Sequence, residues 1–234
     1  VKKVLILVIS SQEKPYDSLM ETSLKTWDSE NITGVETVFY CGEPVKENTD
    51  KVIYFPIKET LHTMGEKTLL AYEWALQNKQ FDYIARVNSS TYVDKKELIK
   101  YIQTLAENNV FAGLEVLASE YAEKFMWGPQ FIMSKDIIQL IVDNKIMWDH
   151  SIMDDNATSK LLNTFNIPYT VGRMCSLEKK EVGWLCLCYG SESMEFNDFN
   201  DLQKLDRQFF FRCKQDHDRS QDVYLMNELY KVLK

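Results

Sequence analysis

This sequence predicts an α/β fold, with a largely parallel sheet and helices on both of its faces, and three observations carry that prediction. Short apolar runs alternate along the chain with stretches whose apolar residues recur at the helical period. The 234 residues, 45% of them hydrophobic, suffice to bury a proper core. No repeat, low-complexity tract or Pro/Gly-rich linker interrupts the chain, so residues 1–234 read as a single domain.

The elements follow in order. Val4–Ile9 is an unbroken aliphatic run and reads as a buried first strand. A helix is predicted over residues 16–27, strands over 36–40 and 52–56, and a second helix over 66–77. The central strand, 82–87, ends in the polar triplet Asn88-Ser89-Ser90. Asp94, with Glu97 three residues on, fits a capping box, which places the triplet in a tight connection from a strand end to a helix start. That helix carries Leu98, Ile99, Ile102 and Leu105 on one stripe, and a strand over 110–116 follows it. The second half opens with residues 125–134 and a short helix with an apolar face of Ile137, Ile138, Ile141 and Val142, for which Ser134 is the expected N-cap. A helix over 155–165 stops ahead of Ile167-Pro168, because the residue before a proline is steered out of the helical region. The last helix, 222–233, sets Val223, Met226, Tyr230 and Leu233 on one face.

Bulk properties exclude several classes. A net charge of -8 argues against a nucleic-acid or anionic-membrane surface as the main partner, though not against a local basic pocket for phosphate. Five cysteines, at 41, 175, 186, 188 and 213, match neither a dense disulfide scaffold nor a four-ligand zinc pattern, so reduced thiols in a cytoplasmic or otherwise reducing compartment are expected. Cys186 and Cys188, one residue apart on a predicted strand, share a face and read as core packing. The first apolar run is too short for a membrane span or a signal h-region.

In open parallel sheets, ligands bind outside the carboxyl ends of the strands. Ser10, Ser11, Arg86, Asn88 and Ser90 fall at such ends. Arg86 is a planar donor suited to bidentate contact with phosphate, and the competing reading pairs it with a surface acid. Ser151, three residues ahead of Asp154, is a candidate cap partner for that acid, which leaves Asp155 as the freer carboxylate. Arg212, Lys214 and Arg219 surround His217 in a basic and acidic cluster just ahead of the last helix.

The stretch from Phe81 through Asn88-Ser89-Ser90-Thr91-Tyr92-Val93 resembles the "hydrophobic-Asp-Asp-Asp-Thr-Tyr-Val" strand of the Fringe and beta-1,3-galactosyltransferase type of glycosyltransferase. Trp127-Gly128-Pro129 and the residues to Asp136 resemble that family's glycine-containing loop, with Gln130 or a neighbour where its second glycine stands, and Met153-Asp154-Asp155 resembles the helix start that holds its catalytic base. The resemblance implies a glycosyltransferase-A-type, Rossmann-like sheet and an inverting hexosyl or related sugar transfer from a nucleotide-sugar donor to a glycan or other hydroxyl acceptor. It implies Asp155, or its neighbour Asp154, as general base; Ser10, Ser11, Arg86, Asn88, Ser90 and Lys214 at the donor; and Trp127 and Gly128 at the acceptor. His217 stands where such enzymes complete a metal site. Because Asn88-Ser89-Ser90 replaces three carboxylates with neutral groups, manganese or magnesium is expected to bind weakly or not at all. The family's eukaryotic members carry a membrane anchor; none is visible here, and a domain trimmed from such a protein would read the same.

Two rivals stand beside this reading. The missing acids fit a catalytically lapsed carbohydrate- or nucleotide-binding protein. A nucleotidyltransferase shares the architecture, but residues 10–14 lack the Gly-rich basic loop expected after its first strand.

Overall fold

A computed structural model describes residues 1–117, 124–189, 192–204 and 208–234. The chain runs β1 (Val4–Ile9), α1 (Tyr16–Lys25), β2 (Val35–Cys41), β3 (Val52–Tyr54), α2 (Met64–Asn78), β4 (Tyr83–Asn88), β5 (Thr91–Val93), α3 (Lys95–Thr104), β6 (Phe111–Leu117), β7 (Lys124–Ser134), α4 (Lys135–Asp143), α5 (Asp154–Thr164), β8 (Tyr169–Val171), β9 (Met174–Lys179), β10 (Trp184–Tyr189), β11 (Met194–Phe196), β12 (Phe210–Arg212) and α6 (Ser220–Leu233). The alternation expected in the first half is present. The first helix ends two residues early, and Trp27 instead opens a short 3₁₀ turn, Trp27–Ser29.

Seven strands form the main sheet in the order β3-β2-β1-β4-β7-β6-β8. Neighbours from β3 to β4 are parallel, β7 pairs antiparallel with both β4 and β6, and β8 lies parallel to β6. The sheet is therefore mixed, with the reversed strand in its second half. β1 is buried at every position, because a central strand covered on both faces takes apolar residues throughout. Val4, Ile6 and Val8 enter one core with residues of α1, α3 and α6, while Leu5, Leu7 and Ile9 enter another with residues of α2, α4 and α5.

Sequence periodicity did not foretell a second sheet, β11-β10-β9-β12-β5. Its entry point is β5, which lies between the polar triplet and α3, so the triplet does not lead straight into a helix as expected. Gly183, at φ +73°, turns the chain between β9 and β10, a conformation that glycine adopts without a Cβ clash. The register sets Cys175, Leu177, Cys186, Cys188 and Phe211 on one buried face; Met174, Ser176, Tyr189 and Arg212 alternate with them on the other, where Met174 and Ser176 are buried as well.

The two expected helix caps resolve differently. Asp94 accepts hydrogen bonds from the backbone N–H groups of Lys96 and Glu97 and caps α3 as expected. Ser134 sits at the start of α4, but its hydroxyl accepts from the Val110 N–H at 2.9 Å and ties the helix start to the entry of β6.

Candidate functional site

The order β2-β1-β4 makes the gap between β1 and β4 a topological switch point, because the chain leaves β1 toward β2 and β3 and returns on the other side. Ile9 and Asn88 are register partners there, so Ser10, Ser11 and Ser89 stand together just past the carboxyl ends of the two strands. All three are buried. Ser10 receives Lys67 Nζ on its carbonyl oxygen at 2.7 Å; Ser11 Oγ accepts from the Glu13 N–H at 3.1 Å; Ser89 Oγ donates to the Ile9 carbonyl at 2.6 Å. The Ser90 carbonyl accepts from the Cys213 N–H at 2.8 Å and links the triplet to the second sheet. The polar groups at this edge thus stitch the strand ends together.

Arg86 alternates onto the face covered by α2 and α5, where its side chain is 1% exposed. Its Nη2 meets Asp154 Oδ2 at 2.5 Å, and its Nη1 donates to Asn88 Oδ1 at 2.6 Å and to the Gly128 carbonyl. With both terminal nitrogens engaged inside the protein, the expected bidentate phosphate contact does not fit; the competing reading places the paired acid at the surface, whereas Asp154 is buried. Asp154 also accepts from Thr68 Oγ1 at 3.2 Å. Thr68 has one hydroxyl proton, so Tyr40, 3.1 Å from it, is the donor in their contact. Burial pushes the Tyr40 phenol up to about 12 and keeps it a neutral donor.

Burial raises Asp154, Arg86 opposes that rise, and the neighbouring Asp155 adds to it; the net direction is upward. For Arg86, burial is the largest single influence and works against the charge, but Asp154 together with Tyr40, Tyr72 and Asp155 outweighs it and holds the guanidinium above its ordinary value. Ser151, expected to cap Asp154, instead bonds Asp149 Oδ1 through its hydroxyl and N–H. Asp155 is freer than Asp154 for a different reason from the expected one: Arg86 claims Asp154.

Asp155, half-buried, holds the Asn156 N–H and Nδ2 on Oδ1, at 2.8 and 3.1 Å, and its Oδ2 lies over Gly128. A Cβ built on Gly128 would stand 2.3 Å from that oxygen, so only glycine admits the carboxylate here. Gly128 is placed by β7, which pairs with β4 only as far as Gln130 opposite Val87 and then runs on past the end of β4. The next residue outward, Trp127, packs its ring against Tyr189 at 5.9 Å and carries the Arg212 guanidinium 4.5 Å above it. A chain of contacts from Arg86 and Asp154 through Gly128 and Asp155 to Trp127 and Arg212 joins the main sheet to the second one.

Of the three cations near the last helix, Lys214 pairs with Asp216 at 2.5 Å and Arg219 with the buried Asp222 at 2.7 Å. Arg212 makes no ion pair among the described residues, and burial lowers its pKa. His217 is exposed, and among the described residues it joins no group of close metal-ligating side chains. Asn88 Oδ1 and Ser89 Oγ, two side-chain oxygens of the polar triplet, are already bonded within the protein.

Sequence reasoning missed Thr68 and Tyr40, the two residues that complete the surroundings of Asp154. Thr68 did leave a signal: it falls on the apolar face of its helix, four residues before Tyr72 and seven before Ala75. An open cleft of about 570 Å³, lined by Glu13, Glu43, Pro44, Val45, Lys58, Glu59 and Thr60, lies among the segments that follow β1, β2 and β3 and was also not foreseen.

No protein-family model and no curated protein matches the chain. Among solved structures it is similar to a glycosyltransferase involved in the glycosylation of the major capsid of PBCV-1, with a TM-score of 0.55 at 12% identity, over 96% of this chain and 99% of that one. A 4-diphosphocytidyl-2C-methyl-D-erythritol synthase from Anaerococcus prevotii DSM 20548 superposes with a TM-score of 0.47 at 12% identity, over 73% of this chain and 86% of that one. The first similarity establishes the fold: a glycosyltransferase-A-like α/β sheet with helices on both faces. No helix among the described residues is long and apolar enough to cross a membrane.

Proposed function

We propose that this chain is a glycosyltransferase that moves a sugar from a nucleotide-sugar donor to a hydroxyl acceptor with inversion. The observation that carries the reading is the half-buried Asp155 carboxylate, held against Gly128 at the carboxyl edge of the sheet beside the closed Arg86–Asp154 pair. A carboxylate so placed takes the proton of an acceptor hydroxyl as its oxygen attacks the anomeric carbon. Arg86 and Asp154 fix Gly128 and the start of α5 and serve as positioning residues. The half-buried Arg212, with Trp127 at its face, balances the charge of the departing nucleoside diphosphate, and Lys214 supplies further positive charge. The same Trp127 ring and Tyr189 offer faces on which the acceptor packs. The nucleoside end of the donor lies toward Ser10, Ser11 and the neighbouring cleft, where glutamates suit ribose hydroxyls better than phosphate. Divalent metal plays little part, so a chelator leaves turnover nearly unchanged.

One observation favours the second reading, a binder without turnover: the polar triplet is engaged within the protein. A single experiment separates the two. Transfer and hydrolysis are measured over a panel of nucleotide-sugars, with thermal shift as the binding readout; a donor at about 100 times its Kd adds about 2.7 kcal/mol of stability. Asp155→Asn is expected to keep the donor-induced shift and to lose about 10²- to 10⁴-fold in transfer. Full transfer by Asp155→Asn overturns the assignment of the base, and binding without turnover by the unaltered chain establishes the binder.

A further inference from the structure

The buried face of the second sheet gathers three thiols that the proposed reaction does not use. Cys175 and Cys188 are register partners across the antiparallel β9–β10 pair, with their sulfurs 2.6 Å apart, and Cys186 Sγ lies 3.4 Å from Cys188 Sγ. All three ligand atoms fall within 4.8 Å of one another. Two chemistries compete for such a cluster. A structural zinc site takes four ligands, and its thiolates, each about 2.3 Å from the metal, stand roughly 3.8 Å apart. Here three thiols meet in an apolar core, and one pair is much closer than that. A disulfide joins residues with Cα atoms about 4.4–6.8 Å apart, the range that directly opposed antiparallel residues occupy.

We propose that Cys175 and Cys188 form a modification site, a disulfide that staples β9 to β10, with a low-molecular-weight disulfide such as oxidised glutathione as the oxidant. One cysteine thiolate attacks the oxidant, releasing one small thiol and leaving a mixed disulfide; the second thiolate then displaces the other small thiol. Two protein thiols are oxidised, one small disulfide is reduced to two thiols, and the two protons end on those thiols. The neighbouring thiols and burial raise Cys175 well above the ordinary thiol range, so the native thiols exchange slowly and pairing is set as the chain folds. Cys186, two residues along the same strand, is the competing partner; it lies opposite Leu177, not opposite either cysteine.

The test refolds the reduced, guanidinium-unfolded chain in mixed reduced and oxidised glutathione. A parallel sample of native chain treated with diamide at alkaline pH covers the case in which refolding fails. The expected product has lost two hydrogens, links tryptic peptides 174–179 and 181–204, and melts several degrees above the reduced form. Cys186→Ala retains the link, while Cys175→Ala and Cys188→Ala abolish it. Free thiols at all five cysteines under both treatments, a link made through Cys186, or stoichiometric zinc or copper held by these thiols in the purified chain each overturns the proposal.

Discussion

Two ion pairs are buried on opposite sides of the main sheet, and they differ in what surrounds them. On the α1 and α3 side, Lys95 Nζ meets Asp28 Oδ1 at 2.5 Å, with Lys51 on the other oxygen at 2.8 Å and the Trp27 ring 5.6 Å from the Lys95 ammonium. On the α2 and α5 side, Arg86 meets Asp154 at the same 2.5 Å. Burial, charge and distance are alike, so none of these distinguishes a working site from a clamp. The difference lies beyond the pair. Asp28 has cations on both carboxylate oxygens and closes the 3₁₀ turn against α3, whereas Asp154 adjoins a second carboxylate, Asp155, that is half open beside Gly128 where β7 runs past the end of β4. A buried ion pair is therefore weak evidence of function, and its unpaired neighbour is the stronger.

The largest expected effects come from breaking each pair. Arg86→Leu should destabilise the fold by about 3–5 kcal/mol, because it leaves the buried Asp154 carboxylate without its cation, and Lys95→Met by somewhat less, because the half-exposed Lys51 still reaches Asp28. Urea unfolding measures this. The contrast lies in activity per folded molecule: Lys95→Met should keep it and Arg86→Leu should lose it. Equal losses would erase the distinction between clamp and site.

Gly128→Ala tests how closely the backbone approaches Asp155. The added Cβ would drive the carboxylate aside, so a loss of about 1–3 kcal/mol in stability is expected, together with a drop in transfer. Alanine tolerated with full activity would show that Asp155 does not need its present seat.

The next effect is a slope. Folded Asp154 holds its proton to higher pH than the unfolded chain does, so between the ordinary carboxylate value of 3.8 and its raised value the folded state binds more protons. Its contribution therefore falls as pH rises through that window. Subtracting the pH–stability curve of Asp154→Asn from that of the unaltered chain should reveal this decline. A difference that grows with pH would mean that Arg86 outweighs burial.

The smallest effect is expected at Lys51, whose side chain is 46% exposed. Lys51→Ala should lower stability by no more than about 1 kcal/mol, since solvent screens an exposed partner and Lys95 still neutralises Asp28. A loss as large as that of Lys95→Met would make the two lysines equal members of the clamp.

Local sequence determined the elements whose physics is local. Val4–Ile9 could only be a covered strand, the apolar stripes placed the helices to within a few residues, and Asp94, with free N–H groups two and three residues on, could satisfy a helix start unaided. Ser134 and Ser151 carry the same local signal, yet tertiary neighbours took them, Val110 in one case and Asp149 in the other. Asp154 and Asp155 were legible as a pair at a helix start, but which of them stands free was decided 68 residues away, where the register of β4 points Arg86 at α5. The second sheet was hidden for a related reason. Its strands are short, and β5 joins β12 across more than a hundred residues, so its pairing depends on how the chain returns and on no periodicity within any one strand.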